Sequence, residues 1–112
     1  MDKKATTAKE YLKAMLWMLE NTGWCKNRFE KINAKGKTVG FCLSGAYERV
    51  LGDMGARMAA YNLITDSLTK ETKGTSMPSY MVGFNDHRDT KKEDVLRVVR
   101  RAIRMATKKA KK

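Results

Sequence analysis

Histidine and proline each occur once in this chain, and cysteine twice, among 112 residues. Two thiols and one imidazole fall short of the four ligands that a structural zinc ion takes, unless a carboxylate or a second chain completes the set. A Gly-x-x-x-x-Gly-Lys phosphate loop is missing, and so is any complete nucleophile-and-base motif. Helix-turn-helix, zinc-finger and aromatic RNA-recognition signatures are missing as well. No apolar run approaches the roughly 18 residues of a membrane span. The opening Met1-Asp2-Lys3-Lys4-Ala5-Thr6-Thr7 has no apolar stretch behind its charges, so no secretory signal is expected. No cofactor is expected from such a set of residues, and no internal repeat is visible.

Acidic side chains are scarce too: 12 Asp and Glu face 24 Lys and Arg, a formal net charge of +12. The excess is clustered. Residues 23–37 carry a net +4 and residues 88–112 a net +8, whereas 1–22 carry +1 and 38–87 carry −1. Clustered basic charge attracts polyanions, namely nucleic acid, an anionic membrane or an acidic protein surface. A solubilising surface with a lysine-rich tail is the plainer alternative. With 42% hydrophobic residues, a chain of this length supports one domain with a modest core.

Along the chain, Thr7-Ala8-Lys9-Glu10 reads as a capping box. Ala8, Tyr11, Leu12, Met15, Leu16 and Leu19 then recur at helical spacing, and Asn21-Thr22-Gly23 supplies the stop, giving a helix over about 8–21. Trp17 falls off the apolar face, which leaves it to a second packing layer or to an exposed contact. Residues 24–42 read as a hairpin turning at Asn33-Ala34-Lys35-Gly36, with Asn33 opposite Lys37. That register puts Phe29, Val39 and Phe41 on one face and sets Cys42 opposite Arg28. Leu43, Ala46, Tyr47, Val50 and Leu51 suit a short helix, which Gly52-Asp53-Met54-Gly55 interrupts. Helical spacing resumes at Met54, Met58, Tyr61, Ile64 and Leu68 to about Thr69. Residues 72–79 read as a loop, and Tyr80, Val82 and Phe84 alternate as a third short strand. Thr90-Lys91-Lys92-Glu93 reads as a second capping box, and Val95, Leu96, Val99, Ala102, Ile103 and Ala106 form the buried stripe of a last helix. The expected fold is α+β in the order α-β-β-α-β-α: one domain over 1–107, with 108–112 a flexible lysine-rich tail. A small antiparallel sheet, the hairpin plus the 80–84 strand, packs with three main helices. The first and last of these cover the sheet, and the 43–69 region supplies the remaining layer.

Gly23-Trp24-Cys25, then Cys42-Leu43-Ser44-Gly45-Ala46, then Asn85-Asp86 before a Val-Leu-rich helix, stand in an order that resembles a family of small actinobacterial and bacteriophage proteins known as a domain of unknown function. The resemblance spans most of residues 11–104. Members often have Gly shortly after Gly-Trp-Cys, where this chain has Lys26-Asn27-Arg28, and the lysine-rich tail is peculiar to this chain. The resemblance implies a bacteriophage or bacterial setting, in the cytoplasm of a bacterial host cell, and no mechanism.

Three functions follow from the residues. Arg97, Arg100, Arg101, Arg104 and Lys108 fall on the side of the last helix opposite its apolar stripe, suited to following a phosphate backbone with little sequence specificity. Lys31, Lys35 and Lys37 at the hairpin tip would add a second contact. On this reading the four arginines are spare to folding, and nucleic acid is the leading partner. The alternative is a protein-binding module acting on a host or phage machine through Trp17, Met18 and the Met-rich 54–58 stretch. The third is a small thiol-dependent or hydrolytic enzyme in which Cys25, Cys42 or Ser44 meets His87, with Asp86 orienting the ring. Its plainer counterpart makes the cysteines small buried packing groups, and makes Asn85 and Asp86 turn formers. A membrane-surface role is not expected, because the last helix carries no Trp or Phe for an interface. A symmetric homodimer is compatible with so small a chain.

Overall fold

A computed structural model describes residues 3–110 of the chain. The first helix, α1, spans Ala8–Asn21. The Thr7 hydroxyl accepts from the Glu10 amide, and the Glu10 carboxylate accepts from the Thr7 amide, so the capping box is closed in both directions. Tyr11, Leu12, Met15 and Leu19 are fully buried along one face, each worth roughly 1.5–3 kcal/mol relative to exposure for side chains of this size.

The hairpin follows as β1, Glu30–Ile32, and β2, Thr38–Phe41. Its turn forms as the sequence predicts. The Asn33 amide donates to the Lys37 carbonyl, the Asn33 side chain accepts from the Lys35 and Lys37 amides, and Gly36 takes φ +79°. The register does not hold beyond it. A bulge between Lys31 and Ile32 pairs Glu30 with Phe41 and Lys31 with Gly40. The slip separates the expected apolar trio: Phe41 is buried, while Phe29 is 58% exposed. Cys42 accordingly donates its amide to the Phe29 carbonyl instead of standing opposite Arg28. Close packing accompanies this slip. A side chain at Gly45 would collide with the Phe29 carbonyl, so the next helix lies directly on the start of the hairpin.

Four more helices complete the chain: α2, Leu43–Arg49; α3, Met54–Thr72; α4, Met81–Asp86; and α5, Lys92–Ala110. Cys42 caps α2 through its sulfur and Asp53 caps α3 through its carboxylate. The expected strand over 80–84 is the helix α4. Five alternating residues are too few to separate the two periods. The burial that decides it is helical: Phe84 and Asn85 are buried and Met81 is partly buried, at spacing i, i+3, i+4, while Tyr80 and Val82 are exposed. The architecture is therefore a two-stranded antiparallel sheet with five helices, an α+β fold in the order α-β-β-α-α-α-α. The helices α1, α3 and α5 pack on one another around the core. The sheet sits to one side, where β2 touches α1 and α2; the main partners of α5 are α1 and α3, so it does not cover the sheet as expected.

The start of α5 also differs from expectation. The helix begins one residue later, and it is the Asp94 carboxylate that accepts from the Lys91 amide, at 2.8 Å. Thr90 is drawn inside, 2% exposed, and its hydroxyl has no partner among the described residues. The helix continues through Lys108 and Lys109, and Lys111 and Lys112 lie outside the described residues.

Candidate functional site

The three short motifs meet at one buried side chain. Asn85 lies at the C-terminal end of α4 with no solvent exposure. Its Oδ1 accepts from the Trp24 indole at 2.6 Å and from the Leu43 amide at 3.0 Å. Its Nδ2 donates to the Cys25 carbonyl and to Asp86 Oδ1, both at 3.0 Å. Asp86 reaches across in turn to accept the Asn27 amide, and the Lys26 ammonium donates to the His87 carbonyl while lying over the Trp24 ring. An amide side chain offers two acceptor and two donor positions, and here all four are filled. Asn85 thus ties the 24–28 segment, the start of α2 and the end of α4 together. Asn85 and Asp86 serve distant backbone rather than their own turn.

The thiols belong to this structural knot. Cys25 donates to the Arg28 carbonyl, and Cys42 accepts the Gly45 amide. Burial pushes both thiols up from their ordinary value; at Cys25 the neighbouring Cys42 adds to it, and at Cys42 the Gly45 and Ser44 amides oppose it without prevailing. Both are therefore protonated near neutral pH and weakly nucleophilic. His87 Nδ1 accepts the Asp89 amide, and among the described residues no hydrogen bond joins His87 to either sulfur. No group of three or more His, Cys, Asp or Glu among those residues is placed to hold a metal ion.

The cationic face of α5 is built differently from its sequence pattern. Arg97 pairs with Glu71 of α3 and with Asp94, at 2.5 and 2.6 Å. Arg101 pairs with the same Glu71 at 2.9 Å and donates to the Ser67 carbonyl, while the Ser67 hydroxyl donates to the Val98 carbonyl. Arg100 pairs with Glu20 of α1 at 2.7 Å and stands 3.9 Å from Glu93. Three of the four arginines on this face thus meet carboxylates, drawn from Glu20, Glu71, Glu93 and Asp94. Only Arg104 and Lys108 continue the stripe without an ion pair among the described residues. Arg97, Arg100 and Arg101 thus join α5 to α3 and α1 through ion pairs. Glu71, with its side chain 13% exposed, is held below the ordinary carboxylate range, chiefly by Arg97 and then Arg101, against the effect of its burial. The hairpin tip keeps its charge: Lys31, Lys35 and Lys37 are exposed, with no ion pair among the described residues.

A groove of about 750 Å³ lies between α1, the N-terminal segment and the segment joining α2 to α3. Ala14, Met18, Phe41 and Val50, buried or half-buried, give it an apolar floor, and the exposed Leu51 and Trp17, the latter 52% exposed, stand at its edge. The N-terminal segment also lines it, anchored by a parallel bridge in which Ala5 donates to the Leu51 carbonyl and accepts from the Asp53 amide. Lys3, Lys4, Lys13 and Arg49 stand around it. Arg49 is paired with Glu30. Glu10, the one acid lining the groove, spends an oxygen on the Thr6 amide and hydroxyl and on the Thr7 amide. Sequence reasoning singled out Trp17 and Met18 but missed the groove. The signal was a tryptophan off the apolar stripe of α1; its partners Val50 and Leu51, and the lysines at 3 and 4, come together only through the Ala5 bridge.

The model of a family of unknown function, DUF6197, matches residues 3–105. The chain belongs to that family. No curated protein and no solved structure matches it. The DUF6197 match takes in the Asn85 knot, the α5 seams and every residue that lines the groove, whereas Lys108 and Lys109 lie beyond its end. No helix among the described residues is long and apolar enough to cross a membrane.

Proposed function

We propose that this DUF6197 chain is a protein-binding module whose contact surface is the α1 groove, acting on a host or phage protein machine in the bacterial cytoplasm. The observation that carries it is Trp17, a large half-exposed aromatic beside a preformed apolar cavity. Tryptophan, with tyrosine and arginine, is enriched among the side chains that carry most of the binding energy of a protein interface. The Trp17→Ala variant and the wild-type chain, each tagged, are to be compared in nuclease-treated lysate of the host. A stoichiometric partner retained by wild type and absent from the variant is the expected result. Co-purification that disappears with nuclease, or that ignores the substitution, sinks the proposal.

A second reading, electrostatic binding of nucleic acid, is favoured by the unpaired lysines of the hairpin tip together with Arg104 and Lys108. The neutralised α5 arginines shift its centre from that helix to the hairpin. Replacing Lys31, Lys35 and Lys37 by Gln should then lower duplex affinity and flatten its salt dependence, by roughly one unit of logarithmic slope for each phosphate no longer neutralised. Unchanged affinity across a salt series counts against it.

A further inference from the structure

We infer that the groove takes an acidic amphipathic helix of the partner, with apolar side chains in the recess beside Trp17 and carboxylates on the lysines of its rim, Lys3, Lys4 and Lys13. This rests on the protein-binding reading and adds the chemistry of what is bound.

Three features argue for it. The recess is mostly apolar and, at about 750 Å³, has the scale of pockets that enclose several side-chain-sized groups. A helix with apolar residues at i, i+3, i+4 and i+7 presents the narrow ridge that such a groove accepts. The rim is cationic on balance. Lys3, Lys4 and Lys13 have no ion pair among the described residues, and they outnumber Glu10, the one acid in the lining, which stays ionised while one of its oxygens accepts from Thr6 and Thr7. A partner with carboxylates flanking its apolar ridge satisfies floor and rim together. A basic helix would set like charges against the lysines and is disfavoured for that reason. A nucleic acid duplex matches the rim but has no apolar ridge for the floor. The site also lacks an unpaired arginine fork, because Arg49 is held by Glu30.

Three fluorescein-labelled helix-forming peptides test this on the full chain by anisotropy. The first places Leu at i, i+3, i+4 and i+7 among Glu and Ala; the second exchanges Glu for Lys; the third exchanges Leu for Ser. The acidic leucine peptide should bind, and the other two should bind at least about ten-fold more weakly. Trp17→Ala should weaken the first peptide about thirty-fold, as truncation of a central aromatic does. Lys4→Glu with Lys13→Glu should weaken it about ten-fold at low salt and less at high salt. Leu51→Glu, at a position 61% exposed, gives the same loss by a separate route should the tryptophan variant fold poorly. Equal binding of the lysine or serine peptide overturns the inference, as does no binding of the acidic leucine peptide at millimolar concentration. A duplex that displaces this peptide and itself loses affinity on Trp17→Ala overturns it in favour of nucleic acid. If the peptides fail while a lysate partner still depends on Trp17, the acidic-helix assignment falls and the protein-binding reading stands. If no partner depends on Trp17, both fall.

Discussion

At the scale of single residues, Asn85 and Thr90 are opposite cases of a buried polar group. Asn85 has every hydrogen-bonding position filled, by the Trp24 indole, the Leu43 amide, the Cys25 carbonyl and Asp86. Asn85→Ala would strand the indole, the amide and the carbonyl in the interior, and buried groups left unmade cost about 1–3 kcal/mol each. Allowing for relaxation, the expected loss is about 3–5 kcal/mol, read from urea denaturation. A loss under about 1 kcal/mol would show that water replaces the side chain without penalty. Thr90 has its hydroxyl buried and unpartnered. Thr90→Val keeps the shape and removes the stranded oxygen, so it should raise stability by about 1 kcal/mol. A destabilised valine variant would mean that this hydroxyl is hydrogen-bonded in solution.

Between elements, the two principal seams of α5 are ionic at their edges and apolar within. Glu71 anchors the α3 seam, since Arg97 and Arg101 both close on it. Its folded value lies below the ordinary 4.5, so the ion pair contributes fully above that pH and is lost as pH falls through the depressed value. Glu71→Gln should therefore cost about 1–2 kcal/mol near pH 7, given the partial exposure of Arg97. The gap to wild type should narrow progressively below about pH 4.5, in denaturation curves taken across the acid range. A gap constant with pH would assign the loss to packing. These seams also show what was legible beforehand. The periodicities yielded α1 with its capping box, the α2–α3 interruption and the apolar stripe of α5, because each is a local pattern of many residues. Three features escaped because a distant contact sets each of them. The slipped hairpin register goes with Gly45 lying against the Phe29 carbonyl. The helical state of Met81–Asp86 depends on delivering Phe84 and Asn85 into the core. The pairing of Arg97, Arg100 and Arg101 depends on Glu20 and Glu71, which lie far away in sequence. Arginines on one helix face look like a free cationic stripe until the facing helices are known.

Over the whole molecule, the charge of +12 is distributed on a flattened body with Cα extents of 48 × 39 × 19 Å. The short dimension holds about two helix diameters of roughly 10 Å, so much of the surface is close to other surface charge. With three of the α5 arginines matched by carboxylates, the repelling charges are chiefly lysines of the N-terminal segment, the hairpin and the two ends of α5. Salt acts on this in two directions. It weakens the exposed ion pairs, each worth at most about 1 kcal/mol, and it screens the repulsion among unpaired cations. Raising sodium chloride from about 10 mM to about 150 mM shortens the screening length from roughly 30 Å to roughly 8 Å. That affects separated like charges far more than pairs in contact, many of which are partly shielded from solvent. Screening should therefore win, and the thermal midpoint should rise with salt by several degrees, about 4–8 °C for each kcal/mol gained at this size. The Glu71→Gln variant, which carries one more unmatched positive charge, should show the steeper rise. A midpoint that falls with added salt would mean that the ionic edges of α5 outweigh the repulsion of the whole surface. The salt slopes of the two chains in scanning calorimetry decide between these outcomes.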